Sequence, residues 1–180
     1  MTQRRLVGAC GSVILALLML LMTAGSGSAA TRRFTDPNDS PGLDIHRVRV
    51  SYADWLRVRV RYDGPIRVGQ TYGIWIDTRP RHPGPEYYFG FIPWSEVGNL
   101  QRVSGFGDTT KTNTKCQKVD GGVNEDQHII GFAVAGTCLR EPKRIRISVQ
   151  FQRPNGTSAD WAPAFRRFTP GPPLLIHLPR

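Results

Sequence analysis

The stretch Ile45-His-Arg-Val-Arg-Val-Ser-Tyr52-Ala-Asp-Trp55-Leu-Arg-Val-Arg-Val-Arg-Tyr62 alternates apolar and basic residues almost without interruption. A period of two marks a strand with one face toward a core and the other toward water. In the first half Val48, Val50 and Tyr52 share one face, and Arg47 and Arg49 the other. In the second half Leu56, Val58, Val60 and Tyr62 oppose Arg57, Arg59 and Arg61. Only Ala53-Asp54 lies between the halves, so the two strands form a tight antiparallel hairpin.

Working outward, the same pattern recurs. Thr71–Asp77 and Glu86–Ile92 read as aromatic strands around the Pro-rich loop Thr78–Pro85. Leu100–Val103, Thr114–Val119, His128–Val134 and Arg144–Phe151 bring the total to about eight strands. Turn signals separate them at Asp63-Gly-Pro65, Gly105-Phe-Gly-Asp108, Asp120-Gly-Gly122 and Arg153-Pro-Asn-Gly156. Ser95–Leu100 has room for a turn of helix at most. Past residue 30, no window carries a 3.6-residue stripe, and 29 of the 150 residues are Gly or Pro. The expected fold is all-β, a two-sheet antiparallel sandwich, immunoglobulin-like or jelly roll.

The first 30 residues differ from the rest. They hold all three Met, no Pro and no acidic residue. Arg4-Arg5 precedes an apolar run from Gly11 to Met22, and Ser28-Ala29-Ala30 supplies small residues for cleavage before Thr31. This is the layout of a signal peptide, with a core too short for a membrane span; an uncleaved anchor is the alternative. The expected organisation is a signal peptide at 1–30, a β-sandwich at 31–169 and a Pro-rich tail at 170–180, with no transmembrane segment once the signal is removed. The remainder carries 22 basic and 14 acidic residues, a net charge of +8. That is enough chain for one hydrophobic core and too little for a multidomain enzyme. Twenty of the 24 basic residues are Arg, a bias that a GC-rich genome produces by codon supply.

After the signal two cysteines remain, Cys116 and Cys138. In an exported chain an even pair predicts a disulfide. It would close a loop of about 22 residues and contribute on the order of 3 kcal/mol. Zinc is disfavoured, because there is no CxxC and no His within four residues of either Cys. If Lys115–Val119 pairs with His128–Val134, Cys116 faces roughly Gly131, and the chain must fold back near Gly136 for the sulfurs to meet.

The segments Asp36-Pro-Asn-Asp-Ser-Pro-Gly-Leu-Asp-Ile45, Phe132-Ala-Val-Ala-Gly-Thr-Cys138-Leu-Arg-Glu-Pro-Lys-Arg-Ile-Arg-Ile147 and Asp160-Trp-Ala-Pro163 carry a resemblance. Together they resemble a family of small secreted β-sandwich proteins from GC-rich bacteria, over about residues 36–165. The resemblance implies the fold and export and supplies no catalytic residue.

Several constellations are candidates for chemistry. Asp36, Asp39 and Asp44 lie on a Pro/Gly-shaped loop with Asn38 and could gather oxygen ligands around calcium. The spacing is not that of an EF-hand, and turn formation is the preferred reading, so calcium is expected to leave the melting temperature unchanged. Glu125, Asp126 and His128 make a weaker second cluster, better explained as a polar hairpin tip. Arg47, Arg49, Arg57, Arg59 and Arg61 share one face of one hairpin, while Arg144 and Arg146 point outward on a later strand. Such a face can hold polyanions by multivalent pairing, although a solvated sheet surface is the plainer explanation. Trp75 alternates with Ile74 and Ile76, and exposed beside Tyr88 it would stack on sugar rings; burial in the core is the commoner fate of such aromatics.

The usual nucleophile-elbow, zinc-protease and phosphate-loop motifs are absent, and the four His are scattered. Asp77 and Glu86 bracket one loop and could form a glycosidase pair. The leading expectation is a secreted, non-enzymatic module that binds an anionic or carbohydrate cell-envelope polymer, with no specific nucleic-acid target and no cofactor beyond calcium. The alternatives are a small hydrolase using Asp77, Glu86 or His128, and a structural or protein-interaction module.

Overall fold

A computed structural model of the chain describes residues 29–95, 98–108, 110, 112–164, 166–168 and 174–175. The expected signal segment, apart from its last two residues, and the expected tail, apart from 174–175, lie outside the described residues. The strands are β1 (Ala30–Thr35), β2 (Asp44–Tyr52), β3 (Trp55–Asp63), β4 (Thr71–Asp77), β5 (Tyr87–Phe91), β6 (Gly98–Arg102), β7 (Thr112–Asn113), β8 (Val119–Asn124), β9 (Ile129–Ala135), β10 (Arg144–Gln152), β11 (Ser158–Ala162) and β12 (Leu174–Leu175). One short 3-10 turn, Gly136–Leu139, joins β9 to the segment leading into β10. Among the described residues no helix is long and apolar enough to cross a membrane.

Two antiparallel sheets pack face to face. One has the order β1-β2-β3-β9-β8, the other β11-β10-β4-β5-β6-β7, with β12 pairing the start of β10. The order β2-β3-β9-β8 facing β11-β10-β4-β5-β6 is that of a variable-type immunoglobulin sandwich, so of the two expected architectures the immunoglobulin-like one holds. Its usual intersheet disulfide is missing, and the inward residues of β4 are Ile74 and Ile76 rather than a Trp. Val48, Val50, Leu56, Val58, Val60, Ile130 and Val134 face Ile74, Phe89, Ile147 and Phe151 in one continuous core. Edge-to-face aromatic pairs cross it, Tyr62 on Phe151 at 6.4 Å and Phe89 on Phe132 at 5.9 Å between ring centroids.

The period-two strands form as expected, and among the described residues the count rises from about eight to twelve through β1, β7, β11 and β12. The expected strand Thr114–Val119 is corrected. The strand is β8, Asp120-Gly-Gly lies inside it rather than in a turn, and the reversal into β9 occurs over residues 125–128. The pairing Val119↔Val134 carries Cys116 past the end of β9. There it meets Cys138 in the 3-10 turn that begins at Gly136, with 5.6 Å between Cα atoms, so the chain turns at Gly136 and the disulfide forms. Residues 98–100, the second half of the segment allowed a helical turn, open strand β6.

Candidate functional site

The outer face of the five-stranded sheet is basic because the period-two pattern leaves it no alternative. Arg47, Arg49, Arg57, Arg59 and Arg61 are all exposed, and Arg33 of β1 joins them. Cross-strand pairing sets Arg33 opposite Arg49 and Arg49 opposite Arg59, a ladder of three guanidinium groups. A second rung sets Arg47 opposite Arg61. Like charges directly opposite one another are unfavourable unless a counter-charge intervenes. None of the ion pairs found among the described residues involves these six arginines. Arg57 lies over the Trp55 ring at 5.7 Å, and Arg61 adds a lesser pull to the His46 hydrogen bond that holds the Asp63 carboxyl below its usual range.

Beside the ladder the surface drops into a trough of about 400 Å³. Arg49, Arg57 and Arg59 stand on one side and Asp120 on the other. Its floor is Gly131, Ala133 and Gly122 on β9 and β8, where Gly131 pairs with both Arg59 and Gly122. The two glycines are not required by packing or backbone conformation. A Cβ on Gly122 would meet nothing within 4 Å, and one on Gly131 only the Gly122 carbonyl oxygen at 3.9 Å. The neighbouring Gly121 contrasts with them, since its Cβ would stand 2.9 Å from the Phe91 ring. Arg33, Gly122, Gly131 and Ala133 were not singled out from sequence. The signal was there in Gly131-Phe-Ala-Val-Ala135, where the residues alternating with Phe132 and Val134 carry no polar side chain.

Trp75 is corrected as a binding platform. It is on the outer face of the second sheet yet 2% exposed, within a satellite cluster with Tyr88 and Trp161. Its ring lies 4.5 Å from that of Tyr88 and 5.5 Å from that of Phe106, and its Nε1 donates to Gln150 Oε1 at 2.9 Å. Gly73 and Gly90 make room for the Tyr88 ring, because a Cβ at either would come within 3 Å of it. Phe106 and Trp161 close over the patch, so no sugar ring can reach it. Both Trp75 and the isoleucines are therefore buried, on opposite faces of β4.

The carboxylates considered for catalysis are held by the fold. Asp77 is fully buried, with Oδ2 accepting from Arg146 Nε at 2.7 Å and Oδ1 accepting from the Arg79 amide at 2.9 Å. Burial raises its pKa, against the lowering effect of Arg146. Glu86 accepts from the Thr78 amide, the Thr78 hydroxyl and Arg79 Nε, and so closes the loop between β4 and β5. His128 is exposed at the β8–β9 tip, its ring 5.4 Å from Tyr62, while Glu125 accepts from Trp94 Nε1. Arg146 is not part of the arginine face, since it serves Asp77 on the other sheet.

The acidic loop is rebuilt by the fold. Asp36 and Asp39 come together with Asp160 of β11, one carboxylate oxygen from each lying within 4.8 Å of the others. Asp44 Oδ1 accepts from the Asp39 and Ser40 amides, the turn role expected of it. Asp160 accepts from the Ile45 amide at 2.6 Å and from its neighbour Trp161 at 2.7 Å. Asp36 has no such role: it is 7% exposed, and neither oxygen has a hydrogen-bond partner. Burial, then the charges of Asp160, Asp39 and Asp44, push its pKa up to about 7.

The fold and surface define an immunoglobulin-like sandwich with one strongly basic sheet face. The chain matches no family model, no curated protein and no solved structure.

Proposed function

We propose that the protein is exported by its N-terminal segment and binds an anionic polymer of the cell envelope across the arginine face and its glycine-floored trough. The observation that carries this reading is the pair Gly122 and Gly131. Glycine inside a strand costs roughly 0.5–1 kcal/mol relative to alanine. Here that cost answers no clash and no unusual backbone angle. A strand glycine without a structural reason marks close approach of something else to the backbone. One wall of the trough carries the guanidinium groups of Arg49, Arg57 and Arg59, which pair with phosphate or carboxylate in two parallel hydrogen bonds, and Asp120 stands on the other. Rungs about 5 Å apart across strands and about 7 Å apart along them present charges to successive groups of a repeating anion. One exposed pair contributes under about 1 kcal/mol, so useful affinity requires several at once.

The test is sedimentation of the chain with purified teichoic acid and with a neutral polysaccharide. Binding to the anionic polymer is expected, and it should fall steeply between low and physiological salt. Replacing Arg57, Arg59 and Arg61 together by Gln should remove most of it without disturbing the fold, because those side chains lie opposite the buried Leu56, Val58 and Val60. Replacing Gly122 and Gly131 by Val should leave the melting temperature unchanged or higher, since β-branched residues suit strands. It should nevertheless weaken binding by filling the trough. Binding that survives both sets of changes and ignores salt would overturn the reading.

A further inference from the structure

We infer that Asp36, Asp39 and Asp160 form a calcium site that ties the loop between β1 and β2 to the edge strand β11. Calcium takes oxygen ligands at 2.3–2.6 Å, so two oxygens bound to one ion stand at most about 5.2 Å apart. The oxygens of Asp36, Asp39 and Asp160 meet that condition, all lying within 4.8 Å of one another. The donors are hard oxygens, with no Cys among them and the nearest imidazole, His46, held on Asp63.

Proximity of acids is not itself a site; the unpartnered oxygens make the case. Asp36 Oδ1, Asp36 Oδ2 and Asp44 Oδ2 are all buried without a hydrogen-bond partner. Among the described residues the basic group paired with Asp44 Oδ2 is His46 Nδ1, and at 3.9 Å it is beyond hydrogen-bond reach. Among the described residues no Lys or Arg pairs with Asp36, Asp39, Asp44 or Asp160. A buried carboxyl left without a partner is costly, and native folds keep one where something else satisfies it. A shared proton between two carboxyls would itself be a hydrogen bond, and Asp36 makes none. A divalent cation satisfies Asp36 and cancels the mutual repulsion in one step. Asp39 is exposed, which leaves an open side for the waters that complete a coordination number of six to eight. Magnesium demands near-ideal octahedral geometry and suits this loop less well.

The experiment is calorimetric titration and thermal melting of the chain expressed with its own N-terminus, stripped by chelator and then given calcium or magnesium chloride. One calcium per chain is expected, with a melting temperature that rises in calcium and less in magnesium. With a dissociation constant on the order of 10⁻⁴ M, calcium at about 10 mM would favour the folded state about 100-fold. The deciding variant is Asp36→Asn. In chelator it should melt above the parent chain, because a buried unpaired charge is gone. In calcium it should show no further rise. Should Asp36→Asn not fold, Asp39→Asn, at an exposed position, is expected to weaken calcium about tenfold or more. A parent chain that gives no binding heat and no melting shift in millimolar calcium would overturn the site. So would an Asp36→Asn or Asp39→Asn chain with undiminished calcium affinity.

Discussion

Replacing Arg146 with methionine is expected to destabilise the fold by about 3–5 kcal/mol, the cost of leaving a buried charge without its partner. The register of β4 and β10 places Arg146 directly opposite Asp77, and the guanidinium covers a carboxylate that has no exposure of its own. The guanidinium carbon of Arg146 also lies over the Phe168 ring, 4.8 Å from its centroid, a cation–π contact that methionine loses together with the ion pair. The pH dependence has a definite sign. Burial already lifts the Asp77 pKa in the presence of Arg146. Without the cation it rises further, and a folded-state pKa above the unfolded value means the native state binds the extra proton. The variant should therefore be weakest near neutrality and regain stability as pH falls through the raised pKa. Adding Asp77→Asn to Arg146→Met should recover most of the loss at pH 7. Denaturant melts of the parent, both single variants and the double variant across pH 4–8 measure this. Equal loss at all pH values would mean that packing by Arg146, not its charge, matters.

The same residues show how far the sequence could be read. Wherever a strand has one wet face, its alternation states which residues are buried, and β2 and β3 follow it from Val48 through Tyr62. β4 defeats that logic. Its burial is continuous from Tyr72 to Asp77, because Phe106 and Trp161 cover the outer face as well. Nothing in Tyr-Gly-Ile-Trp-Ile announces a third layer contributed by residues 30 to 85 positions further on. β8 failed for the opposite reason: Asp120-Gly-Gly has the chemistry of a turn, and cross-strand pairing with β9 overrides it. β7 and β12, at two residues each, are shorter than any periodicity. Of the acidic cluster, local spacing exposed Asp36, Asp39 and Asp44, and only the fold could add Asp160. Its mate Asp44, the one true turn former of the three, could not be told from Asp36 by spacing, since the distinction lies in which oxygens the backbone amides reach.

Removing the disulfide should cost a similar amount by a different route. Cys116 and Cys138 stand 22 residues apart in sequence, and closing a loop of that size restrains the unfolded chain by about 3 kcal/mol. Between them lies the whole β8–β9 hairpin, which floors the trough and forms the free edge of the five-stranded sheet. Cys138 Sγ also lies 3.5 Å from the Lys118 carbonyl oxygen, and the Ala135 amide donates to the same oxygen at 3.0 Å, so the bridge closes a corner the backbone already defines. A Cys138→Ser chain should accordingly keep its fold, lose about 2–4 kcal/mol in denaturant melts and open first along β8. Hydrogen exchange should show this as lost protection in Val119–Asn124 before any loss in β3 or β4. The polymer binding proposed for the trough should then be lost with β8 rather than with global unfolding, since Gly122 leaves the trough floor while Arg57, Arg59 and Arg61 stay on β3. Mass spectrometry adds a direct check: the oxidised chain should gain two hydrogens in mass on reduction, and free thiols at both positions would remove the bridge from the account. If β8 exchanges no faster in Cys138→Ser than in the parent, pairing with β9 alone holds the edge, and the disulfide acts on the unfolded chain only.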